Sequence, residues 1–221
     1  MKTRRFLVGV LFVFASATYT GAADRTDSVE SQKELAAQGY SWAQVSLGFM
    51  YAHGQGVPQD YAEALKWYRL AAAKGNDNAQ YNLGVMYFKG QGVPRDYAEA
   101  LKWYRLAAAK GNANAQFNLG VMFAYGHGVP QDSAEALKWF RLAAAQGLAE
   151  AQYNLGMMYL HGQGIAQDDV QAYTWLDLAA ATSTAKAERD EAGKARDRVA
   201  AHLTPAQIAD AQKRARDWKK H

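Results

Sequence analysis

The sequence predicts an all-α protein, a solenoid of helix-turn-helix repeats stacked side by side. Four units of 36 residues follow one another without a gap from Gly39 to Thr182. Apolar residues recur at helical spacing inside each unit, and paired glycines divide it into two segments. A fixed period of this length is typical of stacked helical pairs, because one short pair cannot bury its apolar face without neighbours.

The beginning of the chain has the composition of an export signal. Lys2, Arg4 and Arg5 precede an apolar run from Phe6 to Ala15, and small residues follow as far as Ala23. This run is too short to span a bilayer comfortably. We therefore predict a signal peptide over residues 1–23, with an uncleaved anchor as the alternative, and a periplasmic or secreted destination.

Composition excludes several kinds of site. The chain contains no cysteine, which removes disulfides, thiol catalysis, cysteine-bound metal and a lipidated N-terminal cysteine. Its formal net charge is +4, but positive and negative side chains nearly balance in residues 39–182, and the surplus lies after residue 183. A nucleic-acid binder needs a concentrated basic surface. We therefore predict no nucleic-acid partner, and no integral membrane segment once the signal is removed.

Residues 75–110 show the layout of one repeat. We predict a first helix over residues 78–89, in which Gly84 lets the second helix approach closely. Gly90 suits the left-handed conformation just past a helix end. Asp96 and Glu99 then have the spacing of a capping box at the start of the second helix. The same spacing recurs at Asp60, Asp132 and Asp168.

The two ends of the stack depart from this pattern. Residues 24–38 are predicted to contain a lone second helix from a partial repeat. Residues 183–221 are predicted to form a capping pair of helices, the first highly charged and the second beginning after Thr204. The four full repeats then occupy residues 39–182.

The repeat resembles the Sel-1-like repeat (SLR) family, which is related to tetratricopeptide (TPR) repeats. The resemblance is carried by the string AQYNLGVMY, by a Gly-x-Gly-Val turn, and by the pattern D-x-x-x-A-x-x-W-Y-x-x-A-A that follows. It covers all four units. It implies a right-handed α/α superhelix of the TPR type, and a role in binding other proteins.

A comparison inside the chain singles out one helix face. The segments 60–74 and 96–110 are identical, whereas the two preceding first helices differ, beyond their first turn, at five positions. At 100° per residue these positions form a single face, which in the families resembled lines the concave side and holds the partner. We call it the variable face. Its candidate residues are Val45, Phe49, His53, Tyr81, Asn82, Val85, Phe88, Lys89, Phe117, Asn118, Val121, Tyr125, Tyr153, Asn154, Met157 and His161.

Two features of the variable face suit a protein ligand. Asn82, Asn118 and Asn154 recur once per repeat, and an amide side chain can pair with the backbone of any extended peptide. Aromatic side chains around them would supply anchors for recognition. The alternative interpretation is that the rings pack against the neighbouring repeat and the amides satisfy local backbone groups.

The sequence gives little sign of chemistry. An enzyme needs converging acid, base or nucleophile groups, whereas His53 and His161 occupy equivalent positions three repeats apart and His127 lies in a turn. We expect no catalytic residue, no metal site and no cofactor. The leading hypothesis is a scaffold of the cell envelope that binds a protein or peptide segment. A glycan or peptidoglycan-fragment binder is the alternative, and a hydrolase the weakest one. The sequence leaves the oligomeric state open.

Overall fold

The computed structural model describes residues 29–218, which form eleven α-helices and no strand. The predicted signal peptide lies outside these residues. The helices are α1 (Val29–Ala37), α2 (Ser41–His53), α3 (Tyr61–Ala73), α4 (Asp77–Lys89), α5 (Tyr97–Ala109), α6 (Ala113–Tyr125), α7 (Ser133–Ala145), α8 (Ala149–His161), α9 (Asp169–Thr182), α10 (Lys186–Ala200) and α11 (Pro205–Trp218).

The helices stack as pairs. Within a repeat α2 packs on α3, α4 on α5, α6 on α7 and α8 on α9, and each second helix then packs on the first helix of the next repeat. The predicted all-α solenoid is therefore confirmed. Alanines and one leucine per first helix, Leu47, Leu83, Leu119 and Leu155, are fully buried between the layers.

A glycine in each first helix sets the distance between the paired helices. A Cβ at Gly84 would lie 2.5 Å from two ring carbons of Tyr104, well inside ordinary van der Waals separation. The same contact joins Gly48 to Tyr68 and Gly120 to Phe140. The close approach predicted for Gly84 is thus confirmed, and the ring it admits is almost completely buried.

The turn between paired helices also uses glycine. Gly90 has φ +72° and donates its backbone N–H to the carbonyl of Met86, closing α4 as predicted. Gly92, also at positive φ, lies against Tyr61 of the preceding repeat, where a Cβ would come within 2.8 Å of the Tyr61 carbonyl oxygen. Each turn of this kind therefore helps to join two repeats.

The second helices begin at aspartate caps that differ from the predicted capping box. The Asp96 carboxylate accepts hydrogen bonds from the amides of Ala98 and Glu99 at 2.9 and 3.0 Å. The Glu99 side chain does not reach back to the cap; it pairs with Lys102 one turn along the helix. A lysine within reach offers a charge-assisted partner, so only the aspartate half of the box forms. The reciprocal box occurs instead at Thr204 and Gln207.

Two polar contacts recur from repeat to repeat. Gln44, Gln80, Gln116 and Gln152 are buried, and each donates from Nε2 to a carbonyl of the preceding second helix. At the same C-terminal end of the second helices, the Lys74 ammonium binds the Gly39 carbonyl and the Lys110 ammonium binds the Gly75 carbonyl. These lysine contacts close each of the first two units upon itself.

The last two helices do not form a hairpin of their own. Both α10 and α11 pack on α9, and far less on one another. Thr174 Oγ1 contacts the Ala211 carbonyl at 3.4 Å, and the Trp175 ring meets Trp218 edge to face at 6.0 Å. Leu178, whose counterpart Leu142 is 49% exposed, is completely buried. The final repeat therefore has its second helix covered, unlike the three before it.

Candidate functional site

The variable face lies on α2, α4, α6 and α8, the first helices of the four repeats. Among first helices of neighbouring repeats, α4 and α6 come closest. The charge of Glu150 on α8 makes a small contribution to the raised pKa of Tyr81 on α4.

The first row of this face has one residue in each repeat, and these side chains are half-buried and partly packed against neighbouring side chains. The Tyr81 ring centroid lies 6.1 Å from that of Tyr104, and Phe117 lies 5.6 Å from Phe140. Burial raises the pKa of Tyr81 to about 12, so its hydroxyl stays protonated at neutral pH. Part of each side chain nevertheless remains accessible. The row consists of Val45, Tyr81, Phe117 and Tyr153.

The asparagine row does not form a free ladder. Asn118 lies beside the hydroxyls of Tyr81 and Tyr104 and partly offsets the rise that burial causes in the pKa of each. Asn154 is 9% exposed and donates from Nδ2 to the Glu150 carbonyl of its own helix at 2.8 Å. Asn82 has neither kind of contact within residues 29–218.

The cause of this difference lies in the neighbouring rings. Asn118 meets two tyrosines, whereas the same positions one repeat later are Phe117 and Phe140, which have no hydroxyl. The amide of Asn154 therefore turns to its own backbone. For Asn154, the interpretation that the amide satisfies a local backbone group describes the observed contact.

The third row of the variable face consists of Phe49, Val85, Val121 and Met157, and the exposure of these side chains differs from repeat to repeat. Phe49, Val85 and Met157 are half-buried, but Val121 is only 2% exposed and belongs to a core cluster with Phe140 and Leu155. Its side chain has no surface to offer a partner. Val121 is therefore a packing residue and leaves the candidate surface.

The ends of the first helices carry the most exposed members. His53, Lys89, Tyr125 and His161 are all exposed, and Tyr125 shows 41% of its surface. His53 stacks on Phe49 with the ring centroids 4.0 Å apart. Half-buried Phe88 lies beside Tyr97 and His127, with centroid distances of 5.1 and 5.6 Å.

Trp42 is an exposed residue that the sequence comparison passed over. It is 54% exposed, next to Tyr40, which is 50% exposed, and the two ring centroids are 6.3 Å apart. At 100° per residue Trp42 shares the face of Phe49 and His53. The sequence does carry a signal, because the equivalent residues are Asn78, Asn114 and Glu150, but a comparison that begins after the first turn of each helix does not include this position.

Carboxylates gather at the opposite end of the stack. Burial, with a smaller contribution from the charge of Glu188, raises the pKa of Glu150. Glu188 Oε2 accepts a hydrogen bond from Ser183 Oγ at 2.7 Å, and the Tyr153 hydroxyl donates to Glu191 at 3.1 Å. Across residues 29–218, no three His, Asp or Glu side chains converge in a way that could hold a metal ion. In the same residues no helix has the length and apolar character to cross a membrane.

Comparison with known proteins identifies the repeat. A family model described as Sel1 repeat matches residues 43–76, 77–112, 113–148 and 149–181. These four matches coincide closely with the helix pairs seen here. A search of curated proteins gave no match.

Solved structures show the same fold. A Sel1 repeat protein from Oxalobacter formigenes is 33% identical, with a TM-score of 0.66 over 72% of this chain and 65% of that protein. The protective antigen c5321 of uropathogenic Escherichia coli, which has an SLR fold, is 31% identical, with a TM-score of 0.60 over 90% of this chain and 50% of its own. The chain thus spans about two thirds and one half of these relatives. Immunity protein Pa5087 of Pseudomonas aeruginosa, 20% identical with a TM-score of 0.54, covers 86% of this chain and 73% of its own and shares the fold alone.

Proposed function

Because this chain belongs to the Sel1 repeat family, we propose that it is a non-enzymatic scaffold of the cell envelope that binds a segment of a partner protein. Sel1 repeat proteins generally mediate protein–protein interactions and are generally non-catalytic. The docking surface in this proposal is the variable face, extended to Trp42 and without Val121.

One observation carries the proposal. The second helices α3 and α5 have identical sequences, while the first helices keep their buried side and change the side that is partly accessible. Packing explains the constant helix, because its tyrosine meets the glycine of its partner. It does not require exposed aromatic rings such as Trp42 and Tyr125. Exposed aromatic side chains beside a polar surface are typical of protein recognition sites.

The envelope location rests on residues 1–23 and on the family. Bacterial Sel1 repeat proteins are often exported, and the basic start and apolar run of this segment fit a cleaved signal. In this proposal the mature chain acts in the periplasm or outside the cell. Detection of the mature N-terminus near residue 24 in a periplasmic extract would test it, and recovery of the full-length chain from the cytoplasm would contradict it.

A glycan ligand is the competing proposal. The exposed rings of Trp42 and Tyr125 would also stack on sugars, and burial of an aromatic face is favourable for either ligand. Calorimetry with soluble peptidoglycan fragments separates the two. Heat of binding with sugar fragments, together with no protein partner in the experiment below, would reverse our order of preference.

The test of the protein-binding proposal uses residues that the chain itself supplies. The double variant Trp42→Asn and Phe49→Val places in the first repeat the residues found at equivalent positions in the second and third. We expect it to fold normally and to recover less of a specific partner from envelope extract. Leu142 on α7 is exposed to nearly the same extent as Trp42, so Leu142→Ala is the matched control and should recover as much partner as the wild type. Equal recovery by all three proteins would refute the variable face as the docking surface.

A further inference from the structure

The junction between the second and third repeats departs from the pattern of the other repeats at five residues. They are Phe88, Lys89, Arg95, Tyr125 and His127, and we call them the junction patch. The position of Phe88 is occupied by Ala52, Ala124 and Leu160 in the other repeats, and the position shared by Lys89 and Tyr125 is occupied by His53 and His161. The position of Arg95 is occupied by Gln59, Gln131 and Gln167, and that of His127 by Gln55, Gln91 and Gln163. The departures are thus concentrated in one place, and they add aromatic rings and positive charge.

Two rings of the junction patch, Tyr125 and His127, stack on each other, and His127 also stacks on the neighbouring Tyr97. His127 lies nearly parallel to Tyr97, with centroids 5.1 Å apart and planes inclined by 22°. It is also nearly parallel to Tyr125, at 6.0 Å and 18°. The guanidinium of Arg95 sits over the Tyr97 ring, 5.4 Å from its centroid. Tyr125 is the exposed member of this stack and would be first to meet a ligand.

The fold does not require Arg95 and His127 at their positions, where the other repeats have glutamine. At the His127 position of the preceding repeat, Gln91 joins two repeats by donating to the Tyr61 hydroxyl at 3.1 Å. At the Arg95 position, Gln59 and Gln131 each donate to a carbonyl of the preceding first helix at 2.8 Å. Arg95 and His127 replace these hydrogen bonds with ring contacts. Packing is therefore served equally well by the glutamines used elsewhere.

Charge indicates what the junction patch would bind. Lys89 and Arg95 are both exposed, and Arg95 forms no ion pair with any carboxylate in the described part of the chain. The equivalent turns of the other repeats have no lysine or arginine. Burial and the charge of Arg95 lower the pKa of His127, so the histidine is a neutral ring at pH 7 and the positive charge belongs to the two longer side chains.

We propose that the junction patch docks an acidic segment of the partner protein. A carboxylate of that segment pairs with the Arg95 fork, and an adjoining apolar side chain packs on Tyr125. A neutral glycan would use the rings but would gain nothing from the two cations. This inference rests on the proposed function and names the partner chemistry for the same surface.

The test uses two synthetic fluorescent peptides of equal length. One contains glutamates and phenylalanines, and the other has lysine in place of every glutamate. Fluorescence anisotropy with the mature chain should show tighter binding of the acidic peptide, weakened by salt. Arg95→Gln should lower its affinity about fivefold. The triple reversion Arg95→Gln, Tyr125→His and His127→Gln should remove binding.

Each reversion introduces a residue that the chain already carries at an equivalent position, and unchanged circular dichroism confirms the fold. Gln167→Ala, at the position equivalent to Arg95 in the fourth repeat, is the matched control and should bind as the wild type. Stronger binding of the lysine peptide, unchanged binding by the triple reversion, or binding of peptidoglycan fragments alone would overturn the proposal. If the peptides fail while envelope recovery still depends on Trp42 and Phe49, only the acidic docking point is wrong. If both fail, the proposed function is wrong as well.

Discussion

Replacing Gly84 by alanine should destabilise the protein, because the added methyl group has no space. Its carbon would lie 2.5 Å from two atoms of the Tyr104 ring, at least about 1 Å inside a comfortable carbon–carbon separation. The ring cannot easily move aside. Tyr104 is 1% exposed and belongs to a core cluster with Leu119 and Met122.

The size of the effect follows from two opposing contributions. Overpacking a core typically costs about 1–3 kcal/mol, whereas alanine in a helix interior gains about 1 kcal/mol over glycine. Because the Tyr104 ring is almost completely buried, the cost should fall in the upper part of the overpacking range, about 2–3 kcal/mol, which leaves a net loss of about 1–2 kcal/mol. For a chain of this length each kcal/mol lowers the unfolding midpoint by about 2–4 °C. A decrease of about 2–8 °C should be measurable by circular dichroism.

Gly193 provides the matched control. It also lies inside a helix, α10, but a Cβ there would meet no atom within 4 Å. Gly193→Ala should therefore raise stability by about 0.5–1 kcal/mol. Adding Gly84→Ala to a Tyr104→Ala background should cost less than adding it to the wild type, because the opposing ring has gone. A Gly84→Ala protein as stable as the wild type, alongside a stabilised Gly193→Ala protein, would refute the close-contact argument.

Three further predictions concern charge and capping. Burial and the charge of Glu188 raise the pKa of Glu150, so the ionised form of this side chain lowers the stability of the protein above that pKa. Glu150→Asn should therefore unfold at a higher temperature than the wild type at about pH 8 and lose this advantage at about pH 3. An equal gain at both pH values would contradict the reasoning. Burial and the charge of Arg95 lower the pKa of His127 below 6.5, so protonation of this histidine opposes folding. The urea midpoint of the wild type should therefore fall relative to that of His127→Gln as the pH decreases below about 6.5. Midpoints of the two proteins that change in parallel from about pH 7.5 to 5 would contradict this prediction. Asp60→Ala leaves two backbone amides of α3 without their acceptor and should cost about 1 kcal/mol in urea unfolding, with an unchanged midpoint as the result that excludes a capping role.

The helices could be predicted from the sequence because each depends on local signals. Gly90 ends α4 and Asp96 begins α5 as expected, since a left-handed glycine and a capping carboxylate act within a few residues. Glu99 shows the limit of such signals. The capping-box spacing is satisfied, but Lys102 competes for the same carboxylate, and a spacing rule does not weigh that competition.

The side chains of the variable face were harder to predict, because their roles depend on other repeats. Asn82, Asn118 and Asn154 share a sequence position but not an environment. Asn118 lies beside tyrosine hydroxyls of α4 and α5. The equivalent neighbours of Asn154 are phenylalanines, which offer no hydroxyl. Burial of Val121 is likewise set by contacts with α7 and α8. A helical wheel gives direction around one helix and contains no information on depth between helices.

The C-terminal helices illustrate a third kind of limit. Apolar spacing after Thr204 correctly predicted a helix, but it could not show that α10 and α11 each use α9 as their support. The signal lies in α9 itself. Buried Thr174 occupies a position at which the other second helices have an exposed lysine, and Leu178 is buried where Leu142 is exposed. Change in the supporting helix indicates a cover more directly than the sequence of the cover does.

The lysine contacts at the unit ends bear on how such a chain can change in length. Lys74 binds the carbonyl of Gly39, and Lys110 that of Gly75, so both atoms of each contact belong to a single 36-residue unit. A gene duplication that copies one whole unit copies the complete contact with it. An insertion of another length inside a unit changes the number of residues between the lysine and its carbonyl. Lengthening by entire units is therefore the change that this architecture tolerates best, and the identical α3 and α5 are what a copied unit would leave behind.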